Sequence, residues 1–257
     1  MDKLFSLEDK VALITGSSSG MGKAIAEAMG HHGASVIISS INVKECEGVC
    51  KELATQKIKA ISLPCDITLK ESLVKLVDDA VKHFGKIDIL VCNAGMANEF
   101  GSLLNSSDDE WEKIMKVNLQ TTLWLTQLVV PEMIERKDGV IILMSSIAGV
   151  RGNKGLGLYG ISKAGLAQLA RNLAVELGPD NIRVNSISPG VIETAFAKPL
   201  MDNDQVLKKR LSLTPLRRVG QPHEVAGVAV MLASMAGAFI TGQNIIVDGG
   251  TVISDGN

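Results

Sequence analysis

Residues 10–30 read KVALITGSSSGMGKAIAEAMG. A β-branched apolar run, a turn with glycines and an alanine-rich stretch follow one another, which is typical of a strand, a tight turn and a helix. Gly16, Gly20 and Gly22 would let the backbone approach a pyrophosphate, and the first turn of the helix would offer it unpaired N–H groups. The stretch therefore predicts a dinucleotide-binding turn, and the alternative is an ordinary glycine-rich connection.

Apolar runs of this kind recur along the chain and alternate with helix-length stretches. The runs occupy residues 10–15, 34–39, 60–65, 87–92, 139–145, 183–188 and 244–249, and helical stretches occupy 69–84, 108–135, 157–178 and 221–236. Nearly unbroken β-branched runs are typical of strands covered on both faces. The alternation implies right-handed crossovers. The sequence predicts an α/β fold, with a doubly wound parallel seven-stranded sheet and helices on both faces, in a single domain spanning residues 1–257.

The charge balance restricts the classes of partner. The formal net charge of the 257 residues is -2, so there is no basic field for nucleic acid. Residues 225–247 carry no charge and are long enough to suggest a membrane span. Gly237 and the sequence TGQN at 241–244 favour a helix, a turn and a strand instead. We expect no nucleic-acid partner and no membrane span.

The cysteines and the N-terminus bear on the compartment. The four cysteines are Cys46, Cys50, Cys65 and Cys92. They lack the paired spacing of a zinc site, so we expect no bound metal. The first residues, MDKLFSLEDK, place acids before any apolar run, unlike a signal peptide. Reduced thiols in a cytoplasmic protein are the expectation.

The stretch LYGISKAG (158–165) contains the sole tyrosine of the chain, with a lysine four positions later. On a helix Tyr159 and Lys163 would share one face. A free phenol, with a pKa near about 10, is a weak base at neutral pH, and a neighbouring ammonium group is expected to lower that pKa. The pair therefore predicts proton transfer at a carbonyl or alcohol oxygen. The alternative is a packing aromatic with an accidental lysine neighbour.

Three motifs together resemble the short-chain dehydrogenase/reductase family. They are T-G-x-x-x-G-x-G at 15–22, CNAG at 92–95 and Y-x-x-x-K at 159–163, and the resemblance extends from about residue 10 to 250. It implies a Rossmann-type fold, a nicotinamide cofactor and a homotetramer. It also implies that the catalytic residues are Asn118, Ser146, Tyr159 and Lys163.

The resemblance gives each of these residues a role. Ser146, at the end of a predicted strand, would bond the substrate oxygen, and it is favoured over Ser145 by its distance from the tyrosine. Asn118 would help to hold a water that links Lys163 to solvent. Lys163 would also bond the nicotinamide ribose.

The same resemblance implies a set of cofactor-binding residues. The segment SPGVIET (188–194) is similar to the family's P-G-x-x-x-T, which contacts the nicotinamide carboxamide. Asp66 matches the acid that meets the adenine ring, and Asn93 is expected to brace the neighbouring backbone. The implied residues are Gly16, Ser18, Ser19, Gly20, Met21, Gly22, Ser40, Ile41, Asp66, Ile67, Asn93, Ala94, Gly95, Tyr159, Lys163, Pro189, Gly190, Ile192 and Thr194.

The choice between NAD and NADP should be set at SSIN (39–42). NAD-preferring relatives usually carry an aspartate at the position of Ser40. NADP-preferring relatives often carry an arginine at the position of Ile41 or a basic residue at that of Ser19. This chain has neither the acid nor the cation, although Lys23 or Lys44 would still be able to approach a 2′-phosphate. Both cofactors stay open, and the missing cation favours NAD.

The substrate pocket is expected between the catalytic residues and a lid at 191–213. Its predicted residues are Ser146, Tyr159, Glu193 and Phe196. Glu193 is either a solvated lid residue or an acid that attracts a cationic substrate, such as an amino ketone, and the candidate substrates are small cyclic or amine-bearing ketones. The predicted function is hydride transfer between a nicotinamide cofactor and a ketone or secondary alcohol. The alternatives are a 3-oxoacyl carrier-protein reductase and, in another class, a non-catalytic NAD(P)-binding sensor or scaffold.

Overall fold

The strands form one parallel seven-stranded sheet in the order β3-β2-β1-β4-β5-β6-β7. The computed structural model describes residues 3–254, so residues 1–2 and 255–257 of the predicted domain lie outside the described part. The strands are β1 (Val11–Thr15), β2 (Ser35–Ser39), β3 (Ala60–Ser62), β4 (Ile89–Cys92), β5 (Gly139–Met144), β6 (Ile182–Pro189) and β7 (Asn244–Val247). The predicted Rossmann-type sheet is confirmed.

Helices connect these strands. They are α1 (Gly20–His31), α2 (Val43–Thr55), α3 (Lys70–Phe84), α4 (Asp108–Met115), α5 (Thr121–Arg136), α6 (Gly157–Leu177), α7 (Lys198–Met201), α8 (Asp204–Ser212) and α9 (Pro222–Ala233). Short 3₁₀ turns lie at Lys3–Phe5, Leu103–Asn105, Ile147–Gly149, Gly178–Asp180, Ala195–Ala197 and Met235–Gly237. In residues 3–254 no helix is both long and apolar enough to span a membrane. Residues 225–247 fold as the predicted helix, turn and strand.

Alternate residues of the strands enter two separate apolar layers. Ala12 and Ile14 of β1 belong to the cluster formed with α1, α2 and α9. Val11 and Leu13 belong to the opposite cluster, formed with α3, α5 and α6. Both faces of the sheet are therefore buried, which explains why the strands read as continuous apolar runs rather than as alternating ones.

The order of the strands reverses at β1. This strand pairs with β2 on one side and with β4 on the other, and the chain crosses from β3 to β4 through α3. In open parallel sheets a crevice forms outside the carboxyl ends of the strands at such a reversal. The glycine turn follows β1 and the CNAG motif ends β4, so both border this crevice.

The predicted helix at 108–135 is interrupted. Residues Lys116–Gln120 form a π-helical segment between α4 and α5, and Asn118 lies buried within it. The hydroxyl of Thr122 donates to the carbonyl of Asn118 at 3.2 Å, and that of Thr121 donates to the carbonyl of Val117 at 2.8 Å. The prediction of one regular helix was wrong here, since widened turns of this kind leave no signal in apolar periodicity.

Candidate active site

The glycine turn between β1 and α1 adopts a left-handed backbone at two positions. Gly16 has φ +63° and Gly20 has φ +54°, a conformation that residues with a Cβ seldom adopt. Ser19 stands at the N-cap of α1 without a side-chain capping bond, and no acidic side chain lies in the first turn of that helix. The first N–H groups of α1 therefore suit an anionic group, such as the pyrophosphate of a dinucleotide.

Asn93 fastens the end of β4 to this turn. Its side-chain amide donates to the carbonyls of Thr15 and Gly16, both at 3.0 Å. The Thr15 hydroxyl in turn accepts from the N–H groups of Asn93 and Ala94 at 3.1 and 3.2 Å. The two strand ends that border the crevice are thus held at a fixed separation.

Gly22 has no room for a side chain. A Cβ there would lie 2.3 Å from the carbonyl oxygen of Gly16 and 2.6 Å from the amide nitrogen of Asn93. Gly22→Ala is expected to lower the free energy of unfolding by about 2 kcal/mol because both atoms belong to the braced turn. The matched control is Gly48→Ala in α2, where nothing lies within 4 Å of the added carbon. Urea unfolding measures both, and equal stability of the two variants would contradict the packing described here.

The adenosine side of the crevice is formed at the ends of β2 and β3. The Ser17 hydroxyl donates to the Ile14 carbonyl at 2.6 Å and accepts from the N–H of Ser39 at 2.9 Å, so the glycine turn is tied to the end of β2. Ser40 follows at once, and the side chain of Ile41 is 71% exposed. The fold therefore gathers the glycine turn, Ser40 and Ile41 at one edge of the sheet.

Asp66 and Ile67 border the same edge after β3. Asp66 accepts hydrogen bonds from the N–H and the hydroxyl of Thr68 at 2.9 and 2.7 Å, which fix its carboxylate. Ile67 lines a small cavity together with Ala94, beside the end of β4.

The segment after β6 approaches the glycine turn from the other side. Pro189 ends β6, and Ile192 is buried and bridges to Gly220. A Cβ on Gly20 would lie 3.3 Å from the Thr194 methyl group, so these two residues of the predicted cofactor site are in contact distance. Gly190 packs closely too, since a Cβ there would lie 2.8 Å from Asp248.

Tyr159, Lys163 and Ser146 lie together beyond the end of β5. The Lys163 ammonium nitrogen is 5.6 Å from the centre of the Tyr159 ring and donates to the carbonyl of Met144 at 2.7 Å. The Ser146 hydroxyl oxygen accepts from the N–H of Ala148 at 3.1 Å, which leaves its own proton to be donated elsewhere. The three side chains can therefore act on one substrate oxygen that lies against the phenol.

Ser145 is turned to a different use. Its hydroxyl donates to the main-chain carbonyl of Lys163 at 2.7 Å, and its side chain is buried. This bond ties the end of β5 to α6 and helps to place Lys163. The neighbouring Ser146 is the serine that faces the phenol.

Asn118 uses its whole amide inside the protein. It accepts from the N–H of Met96 at 2.8 Å and donates to the Met96 carbonyl at 2.8 Å and to the Ser162 hydroxyl at 2.9 Å. A Cβ on Gly95 would lie 3.0 Å from the Asn118 amide oxygen and 3.3 Å from the Lys163 ammonium nitrogen. The π-helical segment, CNAG and Lys163 therefore converge on one point.

Burial dominates the titration of the phenol and of the ammonium group. It raises the pKa of Tyr159, and the hydrogen bond with Ser146 opposes this shift. Burial also lowers the pKa of Lys163 to about 8, against the neighbouring Cys92, which favours the charged form. The net shift of the Tyr159 pKa is therefore upward, opposite to the expected lowering, because desolvation of the phenolate is its largest cause and Ser146 opposes it only in part.

The two predicted substrate residues of the lid differ in their relation to the phenol. The ring of Phe196 lies 6.0 Å from that of Tyr159, centre to centre, and is 57% exposed. The side chain of Glu193 is exposed and accepts a hydrogen bond from the Gln221 amide at 2.7 Å. Phe196 therefore borders the site, whereas the Glu193 carboxylate is held by the segment that precedes α9.

Several contacts around the site were not anticipated from the sequence. The side-chain oxygen of Asn98 accepts from the N–H of Tyr159 at 3.0 Å and so fixes the first turn of α6. Ser162 completes the hydrogen bonds of Asn118. Glu45 reaches the glycine turn from α2, and the pattern N-x-x-E at 42–45, typical of a capped helix start, was the available signal.

Known proteins resemble this chain over nearly all its length. A family model described as enoyl-(acyl carrier protein) reductase matches residues 16–252. Dehydrogenase/reductase SDR family member 4 of Bos taurus is 38% identical over 96% of this chain and 88% of that protein. The 3-oxoacyl-[acyl-carrier-protein] reductase of Thermotoga maritima is 38% identical over 96% of this chain and 99% of that one.

A solved structure of a dehydrogenase is also similar to this chain. A 7α-hydroxysteroid dehydrogenase complexed with NADH and 7-oxo glycochenodeoxycholic acid superposes with a TM-score of 0.94 at 36% identity, covering 100% of this chain and 99% of that one. The parallel sheet, the glycine turn and the Tyr159–Lys163 pair agree with membership of the same family as these proteins. The chain therefore belongs to the short-chain dehydrogenase/reductase family and is an NAD(P)-dependent oxidoreductase that acts on CH–OH or keto groups.

Proposed function

We propose that the protein reduces a ketone, or oxidises the matching secondary alcohol, with Tyr159 as the general acid or base. The observation that carries this proposal is the grouping of Tyr159, Lys163 and Ser146 beyond β5. This grouping lies on the crevice that the glycine turn borders. When bound, the nicotinamide cofactor supplies or accepts the hydride.

Each side chain has a distinct part in the proposed chemistry. Ser146 donates a hydrogen bond to the substrate oxygen, since its own oxygen is already taken by the Ala148 N–H. Tyr159 gives its proton to that oxygen during reduction and takes it back during oxidation. Lys163 places a positive charge near the phenol and binds the nicotinamide ribose. The main chain at Asn118, rather than its side-chain amide, helps to hold a water that carries protons from Lys163 to solvent, since the amide is bonded to Met96 and Ser162.

The residues that would hold the cofactor follow the crevice. The glycine turn, with Ser18, Ser19 and Met21, would receive the pyrophosphate at the start of α1. The residues after β2, β3 and β4 would receive the adenosine, and those after β6 the nicotinamide carboxamide. We propose NAD as the preferred cofactor, supported by the exposed Ile41 where NADP-preferring relatives often carry an arginine.

Two alternatives remain to be separated from this proposal by experiment. A 3-oxoacyl carrier-protein reductase is supported by the 38% identity with the Thermotoga maritima enzyme. Within the proposed function itself, a ring ketone as the substrate is supported by the likeness to the 7α-hydroxysteroid dehydrogenase. A non-catalytic sensor or scaffold is disfavoured, because a protein that only binds a dinucleotide has no use for the complete set Asn118, Ser146, Tyr159 and Lys163.

The test is cofactor absorbance at 340 nm with the purified protein and a panel of substrates. The panel holds ring ketones, an acyl thioester, and a ring ketone with a protonated amine beside its neutral carbon analogue. We expect turnover of a ring ketone. Because Glu193 is exposed and bound to Gln221, we expect similar kcat/KM for the amine and its analogue. Turnover confined to the thioester would favour the carrier-protein reductase, and binding without any turnover would favour the sensor.

The assembly and the compartment are also part of the proposal. A homotetramer is supported by large apolar side chains exposed near the β7 edge of the sheet, at Phe239 and Ile253. A cytoplasmic location is supported by the four free cysteines.

A further inference from the structure

The adenosine side of the crevice holds an acid that does not come from the end of β2. One carboxylate oxygen of Glu45, in the first turn of α2, accepts from the Ser18 hydroxyl at 2.9 Å. The other accepts from the Asn42 side-chain amide at 2.8 Å. The carboxylate is therefore fixed between the glycine turn and the start of α2, against the same Ser18 that belongs to the proposed cofactor site.

This carboxylate is not neutralised by an ion pair and has spare acceptor sites. In residues 3–254 no lysine or arginine forms a salt bridge with Glu45. A carboxylate offers about four acceptor positions, and the two side-chain bonds occupy two of them. The group is thus able to accept hydrogen bonds from further hydroxyls while it repels a nearby anion.

Of the two lysines that would be able to approach a 2′-phosphate, Lys23 is already paired: its ammonium nitrogen lies 2.7 Å from a carboxylate oxygen of Glu52 in α2. Ile41 presents an exposed apolar side chain at the position where an arginine would neutralise the phosphate. Lys44, which precedes Glu45 in α2, is exposed and forms no salt bridge within residues 3–254, so the charge held in a fixed position at this edge is the Glu45 carboxylate, bound by Ser18 and Asn42.

We propose that Glu45 sets the cofactor preference for NAD by accepting a ribose hydroxyl and repelling the 2′-phosphate of NADP. It takes the place of the aspartate that the position of Ser40 lacks. Ser18 and Asn42 position it, so selectivity depends on a contact between the glycine turn and α2. This inference rests on the proposed use of a nicotinamide cofactor.

The test compares dissociation constants by isothermal titration calorimetry, which needs no turnover. Glu45→Gln keeps the shape and removes the charge. We expect it to bind NADP⁺ about tenfold more tightly at low salt, since the repulsion is removed, and to bind NAD⁺ up to about threefold more weakly. The gain for NADP⁺ should shrink in about 0.5 M salt because exposed charges are screened. The matched control is Glu47→Gln, an exposed acid on the same helix, which should leave both constants unchanged.

Three results would overturn the inference. One is a Glu45→Gln variant in which the dissociation constants of NAD⁺ and NADP⁺ change by the same factor. Another is the same selectivity shift in Glu47→Gln, which would make it a general charge effect. The third is a wild-type protein that prefers NADP⁺. Wild-type protein that binds neither dinucleotide would overturn the proposed function itself, and this result is distinct from the other three.

Discussion

Tyr159→Phe is expected to lower kcat by about 10³-fold or more, which nearly abolishes turnover. The dissociation constant of the cofactor should change by less than about threefold. Phenylalanine keeps the ring that packs near Phe196 and the main-chain N–H that donates to Asn98, and it removes the phenolic hydroxyl with its proton and its hydrogen bond to Ser146. Steady-state kinetics and calorimetry measure the two quantities. A variant that retains more than about a tenth of the wild-type kcat would remove Tyr159 from its role as acid or base.

The pH profile of the wild-type enzyme tests the same role. Because burial raises the Tyr159 pKa, the phenol stays protonated through neutral pH. Reduction needs the protonated form, so its kcat/KM should be flat through neutral pH and fall only in alkaline solution. Oxidation needs the phenolate, so its kcat/KM should rise as the pH increases from neutral into the alkaline range. This pH dependence should be absent from any residual activity of Tyr159→Phe.

The sheet could be predicted because two features of the sequence mark each strand. Each is a β-branched run, and each is separated from the next by a helix-length stretch, so β1 through β7 were all located. The end of β3 was placed too late, since Pro64 lacks the N–H that a continued ladder requires. The π-helical segment around Asn118 was missed, because it is stabilised by Thr122 and by contacts with Met96 rather than by a local pattern.

The site, like the fold, could be predicted only in part. The grouping of Tyr159, Lys163 and Ser146 was within reach, because the i,i+4 spacing and the end of β5 determine it. The direction of the Tyr159 pKa was not, since it depends on how far the folded chain excludes water from the phenol. Glu45 also escaped prediction: 27 residues separate it from Ser18, and only the folding of α2 against the glycine turn brings them together.

Lys163→Met is expected to lower kcat by about 10²-fold or more and to weaken cofactor binding, because one ammonium group serves both. An arginine should not rescue it. The ammonium nitrogen donates to the Met144 carbonyl, and Gly95 packs closely enough that an added Cβ would lie 3.3 Å from that nitrogen, so a guanidinium does not fit. Unchanged cofactor affinity in Lys163→Met would contradict the proposed ribose contact.

The same variant should be more stable than the wild type near neutral pH. The Lys163 pKa falls from 10.5 to about 8 on folding, so between these two pH values the unfolded chain binds more protons than the folded one. Below this range the lysine is charged in both states, and burial of the charge opposes folding in full. At about 1.4 kcal/mol per pH unit, this cost is about 3 kcal/mol at pH 7 and about 1 kcal/mol at pH 10. Loss of the bond to the Met144 carbonyl offsets about 1–2 kcal/mol of the gain at either pH.

Lys163→Met should therefore raise the free energy of unfolding by about 1–2 kcal/mol at pH 7, and this advantage should vanish by about pH 10. Lys51→Met, which replaces an exposed lysine of α2, is the control and should show no such dependence on pH. Urea unfolding at a series of pH values provides the measurement. An advantage that stays constant with pH would contradict the lowered Lys163 pKa, because it would mean that the ammonium group loses no hydration when the chain folds.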